Sequence, residues 1–300
     1  MLEEVLTYLD PRPGEHYIDG TLGDGGHATR LLESDPTIEV LGLDRDPLTL
    51  ADTAARMAAY QGRLHTHRGT FDELGEALAT LDWPPVAGIL LDLGVSSMQL
   101  DEPARGFAFR TSGPLDMRMS AGDGPSAADL VATLDEQALS EIIWRYGEEP
   151  AARKIAAAIV EARAREPLTD TLALAELVEG IRPRRSGVHP ATRTFQALRI
   201  AVNDELAQID RFLEHALDWL APGGRLVIIA YHSLEDRRIK RAFQNWARSC
   251  VCPPRLPQCV CDARAQVRLL RRKVVTPSDQ EIASNRRARS ARLRALEVLQ

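Results

Sequence analysis

Three aspartates, each at the end of an apolar run, and one glycine-dense turn carry the chemistry that this sequence can do. Asp19 follows Tyr17-Ile18 and opens a turn holding Gly20, Gly23, Gly25 and Gly26, after which an alanine-rich amphipathic stretch resumes at Ala28. Asp44 closes the run Ile38 to Leu43, 21 residues beyond Gly23, and Asp92 closes Ile89-Leu90-Leu91. Glycine is needed where the backbone takes positive φ or approaches a ligand with no Cβ in the way, and amides at a helix N-terminus favour polar or anionic groups. A carboxylate ending the second strand of a doubly wound sheet accepts hydrogen bonds from a ribose diol. The pattern therefore predicts a cradle for a nucleoside cofactor, although a glycine turn alone can be plain connection and Asp44 can instead cap the helix that starts at Pro47.

The elements that must position these groups follow from periodicity. A short helix over Leu2 to Leu9 precedes the first strand. Strands follow at Ile38 to Leu43, Leu64 to Arg68 and Ile89 to Leu91, with helices from Ala28 to Glu33, Pro47 to Tyr60 and Glu73 to Leu81 between them. Phe71 stands in the loop after the third strand, where an aromatic can stack on a purine or simply pack. Residues 101 to 123 show neither period. From Ser126 to Arg182 the apolar spacing is helical, with Asp135 as a cap, Gly147 as a stop, Pro150 as a start, and a further helix from Thr171 to Ile181. A long helical stretch then runs to Leu220. After the Pro222-Gly223-Gly224 turn, Arg225 to Ala230 is a fifth strand leading into Tyr231-His232-Ser233, with a helix from Arg237 to Trp246 and a strand-like segment from Gln266 to Val275. The arginine-rich end, Asn285 to Arg292, is open to a helix or a tail. This order predicts an α/β protein with a parallel three-layer sandwich and a helical insertion after strand four.

The turn discriminates between cofactors. A dinucleotide site requires Gly-x-Gly-x-x-Gly directly after the strand, and here that frame fails: Gly23-x-Gly25-Gly26 is followed by His27 and Ala28. What stands is acid-x-x-x-Gly-x-Gly from Asp19 to Gly25, which resembles the first motif of the class I (Rossmann-like) S-adenosylmethionine methyltransferases. Acidic groups such as Asp19 and Asp92 suit a ligand carrying an ammonium and a sulfonium rather than a diphosphate. An NAD-dependent oxidoreductase is the weaker alternative.

Composition bounds the rest. The chain has 300 residues, 44% of them hydrophobic, and no apolar run reaches the roughly 18 residues that span a bilayer, so a soluble intracellular protein is expected. The net charge of −6 is uneven: residues 225 to 300 hold 17 Lys or Arg against 6 Asp or Glu, leaving 20 against 37 before them. Such a basic end can serve a polyanion or form an ordinary solvated surface. The four cysteines, Cys250, Cys252, Cys259 and Cys261, are too few for a secreted disulfide framework. Their Cys-x-Cys bite is shorter than the usual Cys-x2-Cys of zinc sites, so an apolar or redox-idle patch is expected first, structural zinc second and reactive thiols last, and no metal ligands are assigned.

Seven stretches together carry a close resemblance to one family. They are YIDGTLGDGGH (17 to 27), LGLDRDP (41 to 47), GILLDLGVSSMQLD (88 to 101), RGFAFRTSGPLDMRM (105 to 119), HPATRTFQALRIAVNDEL (189 to 206), APGGRLVIIAYHSLEDR (221 to 237) and NRRARSARLR (285 to 294). They resemble the RsmH (MraW) ribosomal RNA small-subunit methyltransferases, which methylate the exocyclic amine, N(4), of a cytidine in the decoding region of 16S ribosomal RNA. The resemblance implies S-adenosylmethionine as cofactor, with contacts at Gly25, Gly26, His27, Asp44, Phe71, Asp92 and Gln99. It implies the small ribosomal subunit as partner and a cytoplasmic location.

Candidate holders of the target amine are Asp92, Ser96, Ser97, His232 and Ser233, with Asp92, His232 and Ser233 as the catalytic set. The (Asp/Asn/Ser)-Pro-Pro-(Tyr/Phe) loop common to amino methyltransferases is replaced by Asp92-Leu93-Gly94-Val95, so the acceptor is not assigned by that analogy. The arginines at 182, 184 and 185 and in the C-terminal segment are the expected phosphate contacts. The expected division is a methyltransferase domain over 1–102 and 205–300 around a helical substrate-recognition domain over 103–204. Gly25→Val is expected to abolish cofactor binding and leave the fold largely intact. A non-catalytic RNA-binding or ribosome-assembly module on the same fold is the rival from another class.

Overall fold

The computed structural model describes residues 1–120, 122–182, 187, 189–250, 252 and 260–299. The chain forms two compact units, Met1–Gly94 with Leu206–Gln300, and Val95–Glu205. In chain order the elements are α1 (Leu2–Leu9), β1 (His16–Asp19), α2 (Gly26–Ser34), β2 (Glu39–Asp44), α3 (Pro47–Arg56), β3 (Leu64–Arg68), α4 (Leu74–Ala79) and β4 (Val86–Asp92). The second unit follows with α5 (Ser97–Asp101), α6 (Ala127–Thr133), α7 (Glu136–Gly147), α8 (Ala152–Arg165), α9 (Thr171–Ile181) and α10 (Thr192–Asn203). The chain closes with α11 (Glu205–His215), β5 (Leu220–Ala230), α12 (Ser233–Trp246), β6 (Val267–Leu269), α13 (Asp279–Ser284) and β7 (Arg292–Val298).

The first unit is a seven-stranded sheet in the order β3-β2-β1-β4-β5-β7-β6, the Rossmann-like arrangement of the class I methyltransferases. Strands β1 to β5 are parallel, and β7 runs antiparallel between β5 and β6. Chain order reverses between β1 and β4, which pair directly, so this is the switch point at which open parallel sheets leave a crevice at their carboxyl ends. Asp44, Asp19 and Asp92 end the neighbouring strands β2, β1 and β4, with Asp19 opposite Gly42 on one side and Leu90 on the other. Buried Ile18, Val40, Leu90, Val227 and Ile229 make the strands apolar on both faces, as a covered parallel sheet requires.

The arginine-rich end is neither helix nor tail over its second half. Residues Arg286–Ser290 form a short 3-10 turn, and β7 then enters the sheet with Leu293, Ala295 and Leu296 buried. The intervening Arg294 reaches the buried Asp236 through two hydrogen bonds, at 2.7 and 3.1 Å. The long helix expected up to Leu220 is also divided. Asp204 takes the left-handed conformation, φ 53°, between α10 and α11, and β5 already starts at Leu220. The Pro222-Gly223-Gly224 turn is absorbed as an irregularity in β5, where the pairing moves from Val86↔Leu220 to Gly88↔Arg225.

The second unit packs α6 to α10 around Val131, Leu139, Ile143, Ile155, Ile159, Leu174, Val178 and Phe195. Ser126, Asp135 and Asp170 cap α6, α7 and α9 with their side chains. Gly147 does not stop α7 by taking positive φ; Glu148 does that, at φ 48°. Gly147 is instead the point of closest approach to α10, since a Cβ there would lie 2.5 Å from the Arg193 carbonyl oxygen. The unit begins at Val95 rather than near 103, because Gln99 ties α5 to Met119: its Nε2 donates to that carbonyl at 3.2 Å. Buried Asn203 then fixes the Met117–Met119 turn, donating to Met117 O at 2.7 Å and accepting from Met119 N at 2.8 Å.

Candidate active site

The glycine turn is held from both sides by its neighbours. Gly20 N donates to Leu90 O at 2.9 Å, and Leu22 N donates to Leu43 O at 2.8 Å, so the turn continues the β4 and β2 pairings upward. Asp44 locks its middle: Oδ2 accepts from Gly23 N at 2.9 Å and Oδ1 from Asp46 N at 2.8 Å. Asp46, not Asp44, caps α3, by accepting from Leu48 N. Each Asp44 oxygen keeps a second lone pair, which leaves room for a diol. Burial is the main influence raising the Asp44 pKa, and the two backbone N–H bonds oppose it.

The two glycines that open α2 differ. Gly25 is buried at φ 73°, and a Cβ on it would lie 2.4 Å from Met57 Sδ and 2.9 Å from Thr53 Cγ2. Bulk at Gly25 therefore strikes α3 and its flank, which corrects the expectation that Gly25→Val leaves the fold intact. Gly26 is exposed, and nothing lies within 4 Å of its Cβ position. Gly26 is thus the glycine that leaves open space at the α2 N-terminus.

At the β1/β4 edge the polar groups converge. Asp92 N donates to Thr21 Oγ1 at 2.6 Å, Tyr231 OH donates to Asp92 Oδ1 at 2.9 Å, and His27 Nε2 lies 3.5 Å from Asp92 Oδ2. Burial, the largest influence on His27, favours the neutral ring. The hydrogen bond and charge of Asp92, with the charge of Asp19, outweigh it and raise the pKa. Asp19 is 1% exposed, and burial lifts its carboxyl to about 6 against the opposing effects of His27 and the Thr21 N–H. Asp19 Oδ2 and His27 Nδ1 are buried without a hydrogen-bond partner. An unpartnered carboxylate oxygen beneath an open glycine turn fits a ligand that brings its own N–H donors and positive charge.

That geometry gives a pH prediction. Asp19 must lose its proton before it can hold a cation, so the affinity for S-adenosylmethionine, the cofactor that the sequence implies, should fall by up to about tenfold per pH unit below pH 6. His27 gaining a proton acts in the same direction, and the nearby carboxylate of Asp92 favours both protonations. Calorimetric titration from pH 5 to 8 measures this. Asp19→Asn should bind more weakly at pH 8 and show a shallower pH dependence, and an unchanged profile would remove Asp19 from the site. For stability the sign is opposite. The unfolded carboxyl ionises near its ordinary value and the folded one only near 6, so the Asp19 contribution to stability falls as pH rises across that window.

The remaining expected residues divide. Phe71 sits over the turn, its Cβ 3.2 Å from the Cβ position of Gly20, and its ring meets Phe212 edge-on at 5.7 Å, leaving it partly exposed. His232 is committed locally: as N-cap of α12 its Nδ1 accepts from Glu235 N at 3.4 Å, while Glu235 Oε2 accepts from the backbone N–H of Tyr231 and His232. Its Nε2 is 3.2 Å from Glu235 Oε1 without alignment for a hydrogen bond. Ser233 is the exposed first residue of α12. Gln99, in the second unit, has its Oε1 accepting from Ser96 N and its Nε2 donating to Met119 O, and Ser96 caps α5 in return. The side chain of Ser97 lies outside the description.

Among the expected phosphate arginines, Arg182 is paired with buried Glu149 and Arg294 with Asp236, while Arg184 and Arg185 fall outside the described residues. Thr21 and Tyr231 were not expected at the site. Tyr231 had a signal, since it directly ends the apolar run of the strand beside Asp92.

A model of the MraW methylase family matches residues 1–299. The chain is 51% identical over 302 residues to the ribosomal RNA small subunit methyltransferase H of Nitratidesulfovibrio vulgaris strain DP4, covering 99% of this chain and 94% of that protein. It is 51% identical over 303 residues to the protein of the same name from Geobacter sulfurreducens, covering 100% and 97%. The corresponding Thermomicrobium roseum protein is 50% identical over 299 residues, covering 99% and 92%.

Proposed function

The chain belongs to the MraW methylase family, and on that premise we propose that it methylates the exocyclic N(4) of a cytidine in the decoding region of 16S ribosomal RNA. It is an S-adenosylmethionine-dependent ribosomal RNA methyltransferase. The observation that supports the site is the set of three carboxylates on adjacent strand ends, with Asp19 Oδ2 unpartnered and open space at the Gly26 Cβ position.

S-adenosylmethionine, when bound, supplies an electrophilic methyl group on a sulfonium. Asp19 offers its unpartnered oxygen to a cationic group, Asp44 keeps lone pairs for the ribose diol, and Phe71 offers a face for a purine. Asp92 is the acceptor nearest the strand edge that can take an N–H from the attacking amine, and Tyr231 fixes its carboxylate plane. An exocyclic amine has its lone pair delocalised into the ring, so alignment and one well-held acceptor do most of the work, and no covalent nucleophile is required.

The helical unit is the substrate-recognition element in this reading. The exposed basic residues Arg271, Arg272, Lys273, Arg286 and Arg289 are the phosphate contacts in place of Arg182 and Arg294. The enzyme works in the cytoplasm, where small subunits are assembled, and no described helix is long and apolar enough to cross a membrane.

The test is transfer of a labelled methyl group to small subunits lacking the modification, followed by nuclease digestion and mass spectrometry of the nucleosides. Label is expected in N(4)-methylcytidine. Label in another nucleoside would overturn the cytidine assignment, and no label on any small-subunit RNA would favour the non-catalytic binding module.

A further inference from the structure

The cysteines take no part in the site above. They fall in the connection between α12 and β6, from Ala247 to Gln266, which holds no helix or strand among its described residues. Its base is closed by Gln266 N donating to Trp246 O at 2.8 Å.

Cys250 Sγ and Cys261 Sγ lie 3.8 Å apart, and the sulfurs of Cys250, Cys252 and Cys261 all fall within 4.8 Å of one another. A disulfide needs about 2.05 Å. Two sulfurs bound tetrahedrally to one zinc at about 2.3 Å are separated by about 3.8 Å, as Cys250 and Cys261 are. Thus the Cys-x-Cys bite at 250 and 252, unfavourable on spacing alone, still brings both sulfurs into one coordination sphere with a third. Packing does not explain the cluster. Cysteines that serve as small apolar side chains are among the most buried residues, whereas Cys250 is exposed and Cys252 and Cys261 are half-buried outside both cores. A further feature suits a thiolate: Val260 N lies 3.5 Å from Cys252 Sγ and donates to it, as outer-shell N–H groups do to metal-bound sulfur.

We propose that Cys250, Cys252 and Cys261 bind one zinc ion as thiolates, with solvent as the fourth donor, a clip across the connection between α12 and β6. Three zinc–sulfur bonds form, three S–H bonds break, the protons pass to solvent and no electron moves. Cys259 completes the second Cys-x-Cys pair in the sequence but lies outside the described residues, and the proposal stands on the three sulfurs alone. The clip closes the loop from 250 to 261 just before β6, the edge strand, so it orders that edge, whereas Asp19, Asp44 and Asp92 end other strands.

The test uses the full chain, purified under reducing conditions without chelator and loaded with zinc. Elemental analysis should give about one zinc per chain, released by a mercurial thiol reagent. Cobalt(II) in its place should show thiolate-to-metal charge transfer in the near ultraviolet and the strong visible bands of a tetrahedral site. Cys250→Ser with Cys261→Ser should lose the metal and keep S-adenosylmethionine affinity. Zinc retained by that double variant would overturn the proposal, as would a metal-free native chain or an intact mass showing a disulfide between these cysteines. If the double variant fails to fold, the cobalt spectrum of the native chain decides, and a spectrum without charge transfer overturns the proposal.

Discussion

Asp92→Asn is expected to lower the rate of methyl transfer by about 10²–10³-fold, the usual cost of removing one preorganised electrostatic partner from a reacting centre. The substitution conserves volume, and the backbone N–H that donates to Thr21 Oγ1 is unaffected, so the strand end should keep its shape. The asparagine oxygen can still accept from Tyr231 OH. What changes is the other side. A neutral amide replaces the carboxylate that sits 3.5 Å from His27 and that raises its pKa, and the acceptor strength offered to an incoming N–H falls. Rapid-quench turnover and calorimetry separate the effects. The loss should fall on the rate under saturating cofactor, while S-adenosylmethionine affinity weakens by less than about tenfold. A rate within about threefold of the native enzyme would remove Asp92 from the chemistry and leave it a role in positioning alone.

The strand ends were legible in the sequence because burial on both faces writes a parallel strand as a continuous apolar run, and each of three such runs ended on an aspartate. β7 was not legible for the converse reason. Only Leu293, Ala295 and Leu296 are buried, and the arginines alternating with them give the segment the look of a basic tail. The same blindness affected charge. A sequence shows that Arg182 and Arg294 are cationic but not that Glu149 and Asp236 already engage them, so residues counted toward phosphate are spent on folding. Capping was legible where the cap is a short polar side chain before a helical run, as at Asp135. It was not legible at His232, whose ring both resembles a catalytic group and caps α12. Tyr231, the residue after β5, was not legible because its tie to Asp92 joins two strands far apart in the sequence.

Gly26→Val is expected to weaken S-adenosylmethionine binding by about 100-fold, equivalent to about 2.7 kcal/mol, with little change in melting temperature. Gly25→Ala is expected to do the reverse, lowering stability by about 2–4 kcal/mol. The argument lies in where each Cβ goes. At Gly25, φ 73° is costly for any L side chain, and the added atom meets Met57 Sδ at 2.4 Å and Thr53 Cγ2 at 2.9 Å. The thioether can swing away. Thr53 cannot do so easily, because it is branched at Cβ and its Oγ1 is tied to Gly23 O at 2.6 Å, so the strain passes into the turn. At Gly26 the backbone is already helical and no atom lies within 4 Å of the Cβ position, so the protein has no reason of its own to exclude a side chain. Under the proposed function, that open space is where the ligand meets the amides at the start of α2. Thermal unfolding and calorimetry on the two variants therefore separate fold from function at adjacent residues. Native affinity in Gly26→Val, in a chain that melts normally, would place the cofactor elsewhere than the α2 N-terminus.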